Sequence, residues 1–359
     1  MSFPTARGGV TMDTFYSLTL DHLHKNGMVE DNVFDAVPLF KWLKAKGRVV
    51  PFTGGAKIEV KIIKGTNGTV GSVGEYEEID LSPSDPITTV YYNTAEYAGA
   101  CTFSNKELSA NRGREKVVDQ VATEAKVTAL TFGEEMSKHL WDVANITVAS
   151  SLTGNGGKNI IGLPILAPYN VAATATNLAG LDPYTNTAEA FWANQTQDYG
   201  SANSAVGMAN SINSLYIKCS VYGPGGPPDG GFCDLTTWSK IVAAMDAQKR
   251  YMTSDEKLSS LGIQNINYLQ CAISADPYAC DPEAGLNYDG SPTAGVLYML
   301  HSEFTKLYQR TDRDFKPGPM RPAPKQLAKS SIFEWEGQLV TSNRRKNGVL
   351  YGITKAPYA

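Results

Sequence analysis

"KIEVKIIK", residues 57–64, and "ITTVYYNTAEYAGACTF", residues 87–103, are the segments that determine the fold of this chain. In the first, branched apolar residues alternate with charged ones, which is the period-two pattern of a strand with one buried face. The second is dense in Thr, Val and Tyr and is predicted to be the return strand. Between them lies the glycine-rich stretch "GTNGTVGSVG", residues 65–74. Residues 51–103 are therefore predicted to form one long hairpin.

The length of this hairpin raises the question of what it packs against. About fifteen residues of strand would reach on the order of 50 Å at about 3.3 Å per residue, and an isolated hairpin of that length is only marginally stable in water. Its outer half contains few large apolar residues, and the sequence offers no obvious internal partner. We therefore expect the hairpin to lie on a surface outside its own chain.

A long helix is predicted after the hairpin. The segment "REKVVDQVATEAKVTALTFGEEMSKHLWD", residues 114–142, contains no proline, and Val117, Val121, Ala125 and Leu130 recur near helical spacing. Twenty-nine residues at about 1.5 Å each give a helix of roughly 44 Å. We expect it to act as a spine for the subunit.

Shorter elements surround this helix. "PLFKWLKAKG", residues 38–47, begins with proline and ends at glycine, as helices do. Helices are also predicted from the capping-box pattern "SNKE", residues 104–107, and over "DLTTWSKIVAAMDAQKRY", residues 234–251. "GPGGPPDGG", residues 223–231, is typical of a flexible surface loop. Residues 331–354 are predicted to form two strands around the turn "NRRKNG".

Composition limits the classes of protein that fit. The chain has 359 residues, of which 42% are hydrophobic and 19% charged, so it is folded. Its net charge of −4 argues against a dedicated nucleic-acid binder, which would carry surplus cations. The charge is uneven, because residues 301–346 carry ten Lys or Arg against five acids. This basic segment is either a solvated face or a complement to an acidic surface on another copy of the chain.

The sequence contains no recognisable catalytic or cofactor motif. "TGNGGKNIIGLP", residues 153–164, lacks two requirements of a phosphate-binding loop, because Leu152 stands where a glycine is needed and Asn159 follows Lys158. We predict a turn there. His22 and His24 have no third ligand nearby, so no metal site is predicted. Zinc, hydrolase and dinucleotide motifs are also missing.

The remaining candidates for chemistry are read as structural or surface features. The acid pairs Glu77/Glu78, Glu134/Glu135 and Asp312/Asp314 are interpreted as solvated or ion-paired surface, and His139 as an i,i+4 contact of Glu135. Five cysteines form no CxxC pair: Cys101, Cys219, Cys233, Cys271 and Cys280.

No secretion signal or membrane span is recognised in the sequence. The N-terminus has no secretion pattern, which favours a reducing cytoplasm. The longest charge-free stretch, residues 159–181, contains prolines and asparagines that argue against a membrane span. We predict no catalytic residue, no cofactor, no metal and no membrane partner.

The order of elements resembles the major capsid protein of tailed bacteriophages, the shell fold first described in phage Hong Kong 97. Five segments carry the resemblance: "NVFDAVPLFKWLKAKGRV" (32–49), "LTGNGGKNIIGLPILA" (152–167), "TTWSKIVAAMDAQKRYMTSDEKLSSLGIQNINYLQCAI" (236–273), "LYMLHSEFTKLY" (297–308) and "MRPAPKQLAKSSIFEWEGQLVTSNRRKNGVLYGI" (320–353). The chain departs from the family at "AFWANQTQDYG", residues 190–200, and at "GPGGPPDGG".

The resemblance implies an α+β fold of the Hong Kong 97 type, divided into four parts. These are an N-terminal arm with a short helix (1–50), an extended-loop hairpin (51–103), a peripheral domain (104–170 and 310–359) containing the spine helix, and an axial domain (171–309).

It also implies a function in a virion. The expected protein self-assembles in the bacterial cytoplasm, as hexamers and pentamers, into the icosahedral head of a tailed phage that encloses double-stranded DNA. Further expected partners are a portal, a decoration protein and a separate scaffolding protein, since no long scaffolding segment precedes the arm. The packaged DNA would be contacted weakly and without sequence preference. A tail-tube or adaptor protein is the structural alternative, and an intracellular enzyme with a site invisible in sequence is the other.

The resemblance implies that the hairpin lies across a neighbouring subunit. The residues expected to be buried there are Ile58, Val60, Ile62, Tyr91, Tyr92 and Tyr97. Acids near the hairpin tip are expected to pair with basic residues of the neighbour. These charged residues are Glu75, Glu77, Glu78 and Asp80 on one side and Arg114, Arg344 and Arg345 on the other.

Overall fold

The structure is a computed structural model of the chain. It describes residues 37–65, 67, 69–79, 81–83, 85–104, 114–141, 158–169, 178–184, 186–200, 204–221, 225–247, 265–276, 279, 294–319, 321–322 and 327–354. Several predictions concern residues outside these ranges: His22, His24, Asp80, Cys280, the helix at "SNKE" beyond Ser104, and the glycines of the turn at 153–157.

Five α-helices occur among the described residues: α1 (Pro38–Ala45), α2 (Arg114–Trp141), α3 (Leu163–Leu166), α4 (Ala205–Val221) and α5 (Leu235–Ala247). Short 3-10 helices span Thr187–Trp192 and Arg344–Lys346. The helices predicted at residues 38–47, 114–142 and 234–251 are confirmed as α1, α2 and α5. Helix α4 was not predicted from the sequence, because glycine, serine and asparagine blur its apolar period.

The strands are β1 (Val49–Phe52), β2 (Lys57–Ile63), β3 (Ile87–Asn93), β4 (Ala95–Ser104), β5 (Gln195–Asp198), β6 (Gly230–Cys233), β7 (Asn265–Tyr268), β8 (Cys271–Ala275), β9 (Ala294–Leu300), β10 (Thr305–Pro317), β11 (Arg321–Pro322), β12 (Ala328–Thr341) and β13 (Gly348–Thr354). Helices and sheets are both extensive, which confirms the α+β prediction.

A five-stranded sheet is organised around β12. Strand β12 pairs antiparallel with β10, β11 and β4, and its ladder with β4 runs without a register shift from the pair Ala328–Ser104 to the pair Gly337–Ala95. Strand β1 extends the sheet by pairing parallel to β10. The return half of the predicted hairpin therefore belongs to this sheet from Ala95 onward.

The long helix α2 covers one face of the five-stranded sheet. Its Phe132 packs edge-on against Phe315 of β10, with ring centroids 5.7 Å apart, within a core that also contains Phe333 and Trp335 of β12. Gly99 of β4 makes this approach possible, because a Cβ there would lie only 2.6 Å from the Phe132 ring. The helix acts as the predicted spine against this sheet.

A second sheet has six strands in the order β5-β13-β9-β6-β8-β7. Helices α4 and α5 pack on it through a separate core that includes Met208, Leu215 and Ile241. A buried polar contact joins this sheet to the spine helix, since Ser137 Oγ and Trp141 Nε1 donate to the Asp276 carboxylate at 3.0 and 2.9 Å.

The two predicted closing strands are present as β12 and β13, but they lie in different sheets. The segment "NRRKNG" between them forms a 3-10 helix at Arg344–Lys346 and carries the chain from the five-stranded to the six-stranded sheet. The domain division stays a prediction. Two strands are relevant to its boundaries. Strand β1 belongs to the five-stranded sheet, and strand β13 belongs to the six-stranded sheet.

The predicted flexible loop at residues 223–231 is wrong for its described part. Gly225 O accepts a hydrogen bond from His301 Nε2 at 2.7 Å, and Asp229 accepts from Ser302 N and Oγ. Asp229 also lies 3.3 Å from Lys46 Nζ. Gly230 and Gly231 then begin β6 in the interior of the six-stranded sheet. The glycines allow close packing there rather than mobility.

Replacing Gly230 tests this packing. A Cβ at Gly230 would lie 2.5 Å from the Trp42 ring, whereas one at Gly54 would contact nothing within 4 Å. We expect Gly230→Ala to lower the free energy of unfolding by about 1–3 kcal/mol through overpacking. Gly54→Ala is the matched control and is expected to leave it nearly unchanged. Urea denaturation followed by circular dichroism measures both, and equal stability of the two variants would contradict the packing described.

Candidate assembly surface

The hairpin is shorter than predicted. Strands β2 and β3 pair antiparallel from Lys57–Asn93 to Ile63–Ile87, and seven residues at about 3.3 Å each give an arm of about 23 Å. The connecting residues 64–86, which we call the outer loop, contain no strand among those that the structure describes. The predicted reach of 50 Å in strand conformation is therefore wrong.

The inner face of the hairpin is buried within its own chain. Ile58, Ile62 and Tyr92 are at most 7% exposed, and Val60 packs half-buried against the same cluster. The side chains that cover this face belong to residues 161–192 and to β12: Ile161, Ile165, Leu178, Trp192 and Val340. The expectation that Ile58, Ile62 and Tyr92 are buried on a neighbour is therefore wrong.

Hydrogen bonds fix this face to the five-stranded sheet. Tyr92 Oη donates to Thr341 O at 2.7 Å, and burial raises the pKa of Tyr92 well above its ordinary value. Tyr97, also expected at a neighbour, accepts from Ile160 N at 3.1 Å and pairs with His139 Nδ1 at 3.0 Å. Burial likewise raises the pKa of Tyr97. The hairpin therefore leaves the subunit in a fixed direction, with Tyr91 on its exposed side.

The outer loop exposes five large apolar side chains, which were not predicted from the sequence. Their exposed fractions are 81% for Val70, 51% for Val73, 94% for Tyr76, 65% for Ile79 and 87% for Leu81. Soluble monomers rarely expose apolar side chains in such a run. Their spacing was the available signal, because four of the five recur at every third residue, a period that belongs neither to a helix nor to a strand.

The outer loop is also acidic. Glu75, Glu77 and Glu78 are exposed, and Glu77 accepts a hydrogen bond from Gly74 N at 2.8 Å, which shapes the turn. Residues 71–85 carry five acids and no Lys or Arg. The described part of the loop is thus an apolar and acidic surface.

Arg344 cannot be the partner of those acids in a neighbour. It is fully buried, and its Nε and Nη2 donate to Leu166 O at 2.9 Å and Ile165 O at 2.8 Å. Burial lowers the pKa of Arg344 to about 10. The prediction that Arg344 lies at the subunit surface is wrong, because its guanidinium is buried and donates to the carbonyl oxygens at the end of α3. Arg345 is half-buried, and the side chain of Arg114 lies outside the described residues, so both stay predictions.

Several cations of the basic segment bind groups within their own chain. Lys346 is buried with Nζ donating to Ser220 O at 3.2 Å and Gly226 O at 2.9 Å, and burial lowers its pKa. Arg310 binds both carboxylate oxygens of Glu336 at 2.7 and 2.8 Å. Arg313 lies 2.7 Å from Glu96. The segment is therefore no single solvated face, and exposed cations remain at Lys316 and Arg321.

The other predicted candidates for chemistry have structural surroundings. Glu134 and Glu135 lie 2.9 and 3.7 Å from Lys138 on α2, which fits the interpretation as ion-paired surface. Within the described ranges, no group of three or more His, Cys, Asp or Glu side chains is arranged to hold a metal ion. No helix in the same ranges is long and apolar enough to cross a membrane.

Removing the Arg344 guanidinium tests its internal role. Arg344→Met leaves two carbonyls without their partner, and each such loss costs about 1–3 kcal/mol. We expect a clear drop in the melting temperature of unassembled subunits. Arg321→Met, at an exposed site, is the control and is expected to melt as the wild type does. If Arg344→Met melts with the control, the buried contacts do not stabilise the subunit.

The buried thiols give a second test. Cys101, Cys219, Cys233 and Cys271 are buried thiols, and burial raises the pKa of Cys219 to about 12. Because the thiolate is the reactive form, we expect iodoacetamide at pH 8 to spare Cys219 in the folded chain and to label it after unfolding in urea. Peptide mass spectrometry locates the label. Rapid labelling of folded protein would show that this core is open.

Comparisons with known proteins identify the fold. No family model matches the chain, and no curated protein matches it. Among solved structures, the capsid of cyanophage A-1(L) matches 98% of this chain and 96% of its own, with 13% identity and a TM-score of 0.58. The capsid of an empty GTA particle matches 98% and 94%, with 13% identity and a TM-score of 0.51.

A third similar structure is the holo-SrpI encapsulin complex from Synechococcus elongatus PCC 7942, which covers 89% of each chain at 10% identity with a TM-score of 0.52. Likeness at these identities concerns the fold. The chain therefore has the phage-capsid fold predicted from its sequence, over almost its whole length.

Proposed function

We propose that the chain is a major capsid protein, which self-assembles into the icosahedral head of a tailed bacteriophage and encloses double-stranded DNA. The observation that carries this proposal is the outer loop, whose apolar side chains are exposed in the part of the subunit that the structure describes. The fold supports it, because the solved structures that share this fold over nearly the whole chain include a phage capsid and a GTA capsid.

Uncovered apolar surface favours association with further copies. Burying a large apolar side chain contributes about 1.5–3 kcal/mol, and five such side chains lie within residues 70–81 of each copy. An arm that leaves one subunit and binds the next makes a head-to-tail contact, which closes into rings or shells when the geometry repeats. Hexamers and pentamers are the rings that build an icosahedral shell.

The rigid root of the hairpin supports this role. The inner face of β2 and β3 is packed on its own subunit, and Tyr92 and Tyr97 are hydrogen-bonded there. Less conformational freedom is then lost when the outer loop binds, which favours association. Tyr91 and Val60, along the exposed and half-buried parts of the hairpin, and Arg114 and Arg345 remain candidate contacts with a neighbour.

The other partners follow from this function. A portal, a decoration protein and a separate scaffolding protein belong to the proposed assembly in the bacterial cytoplasm. Packaged DNA is contacted weakly, which fits a net charge of −4. The role is structural rather than enzymatic, and the protein resides in the virion without a membrane partner.

Electron microscopy of the purified chain, together with light scattering, tests the proposal. We expect closed icosahedral particles built from many copies of the 38.8 kDa chain. Particles from infected cells are expected to contain nuclease-protected DNA, and closed particles without DNA would contradict the packaging role. Open tubes or single rings would favour a tail-tube or adaptor protein. A stable species of one to four chains under all conditions would contradict shell formation.

The outer loop can be tested separately. We expect Tyr76→Ser combined with Leu81→Ser to reduce the yield of particles at least tenfold, because two apolar contacts are lost at every interface. The unassembled variant is expected to melt as the wild type does, since both side chains are exposed. Ser72→Ala in the same loop is the control. Normal particle yield from the double variant would remove the loop from the interface.

A further inference from the structure

Three parts of the chain meet at the Tyr97 hydroxyl, close to the root of the hairpin. Tyr97 belongs to β4, near its first residue Ala95. Its Oη accepts a hydrogen bond from Ile160 N at 3.1 Å and lies 3.0 Å from Nδ1 of His139 on α2. The centroids of the Tyr97 and His139 rings are 5.7 Å apart. One hydroxyl therefore ties the hairpin root to the spine helix and to the segment of residues 158–169.

The protons at this contact can be counted. The Ile160 amide donates to Tyr97 Oη, so the hydroxyl proton needs a separate acceptor, and His139 Nδ1 is in place to accept it. Burial raises the pKa of Tyr97 well above its ordinary value, so the phenol keeps its proton near neutral pH. Nδ1 can accept only when the imidazole is neutral, because both ring nitrogens of a protonated histidine are donors. The contact therefore requires a neutral His139.

Protonation of His139 would leave the Tyr97 hydroxyl without this acceptor. A proton on Nδ1 would then face the oxygen that already accepts from Ile160 N. Oη could accept from Nδ1 as well, but its own proton would then turn toward the core, where Trp335 packs on the Tyr97 ring at 5.7 Å. A donor that is shielded from water and has no acceptor is costly. The neutral form of His139 therefore holds the three elements together better than the charged form.

The charged groups around His139 among the described residues are few and exposed. On α2, Glu135 lies one turn earlier and favours the charged imidazole, but it is exposed and lies 3.7 Å from Lys138. Exposed pairs of this kind are screened and contribute little. Tyr97 is the titratable group that β4 presents, and the charged residue of the segment 158–169 is Lys158, which is exposed. The hydrogen bond is therefore the interaction that decides the charge state.

The segment held by Tyr97 also covers the hairpin root. Ile161 N donates to Gln338 Oε1 at 2.7 Å, next to the Ile160 contact. Ile161 and Ile165 pack against the inner face of β2 and β3. Loosening Ile160 therefore weakens the surface on which the hairpin rests, and the direction of the arm is then fixed less firmly.

We propose that His139 is a proton-sensitive lock at the hairpin root. The neutral imidazole holds the Tyr97 hydroxyl, and its protonation loosens residues 158–166 together with the hairpin that they cover. The lock is a property of the single subunit. Its consequence for assembly rests on the proposed shell function: acid conditions are expected to lower the yield of particles, because a less rigid arm loses more conformational freedom on binding.

The pH range follows from the form of the imidazole that the fold prefers. An ordinary imidazole titrates near pH 6.5, and the unfolded chain binds this proton more readily than the folded chain, which needs the neutral ring. Stability rises with pH wherever the unfolded state carries more protons. The contribution of the lock is therefore fully present above about pH 6.5 and is lost as the pH falls below that value.

Hydrogen exchange on unassembled subunits at about pH 7.5 and about pH 5.5, corrected for the intrinsic pH dependence of exchange, tests the lock. We expect peptides from residues 158–166 and 87–97 to exchange at least about fivefold faster at the lower pH, because local opening sets their rate. His139→Gln is expected to abolish this response, since its amide oxygen can accept from Tyr97 but does not titrate in this range. Tyr97→Phe is expected to exchange fast at both pH values.

The chain provides matched controls, because it contains four histidines and other unperturbed side chains titrate outside this range. His22→Gln with His24→Gln, and separately His301→Gln, are expected to keep the pH response of the wild type. His301 is a demanding control, since it is buried and its Nε2 lies 2.7 Å from Gly225 O. Melting of each variant at about pH 7.5 shows that it folds.

The outcomes separate the lock from the proposed function. A pH response that disappears in His139→Gln and persists in the histidine controls supports the lock. No response in the wild type, an unchanged response in His139→Gln, or a response that a control variant removes would each overturn it. If the lock is present but the chain forms no shells, the shell function has failed and the lock stands.

Discussion

The uninterrupted ladder between β4 and β12 is the constraint on which the rest of the molecule depends. Strand β12 also pairs with β10 and β11, so it ties the return strand of the hairpin to the closing part of the chain. The spine helix packs on one side of this ladder, and the hairpin root packs beside it. The direction of the arm follows from this single pairing.

Two buried cations anchor the connection between the two sheets. Arg344 and Lys346, in the 3-10 helix between β12 and β13, bind carbonyl oxygens at the ends of α3 and α4. Helix ends leave such oxygens without partners in the chain, and a cation satisfies them. The same residues look like surface charge in the sequence, because charge alone does not show whether a side chain is solvated.

Local periodicity was sufficient to predict much of the fold but little of the site. Helices α1, α2 and α5 and the alternation in β2 follow from short-range patterns. The cover over Ile58 and Tyr92 comes from residues more than sixty positions away in sequence, and no local pattern contains that information. The exposed apolar residues of the outer loop were missed for a related reason, since their three-residue spacing matches neither regular element.

Hydrogen exchange on dissociated subunits and on assembled particles tests most directly whether the outer loop of one copy is covered by another copy. We expect slower exchange in particles for peptides from residues 64–86, and no change for α5, whose core is internal to the subunit. Unchanged exchange in the outer loop, in particles confirmed as closed shells, would contradict the proposed assembly.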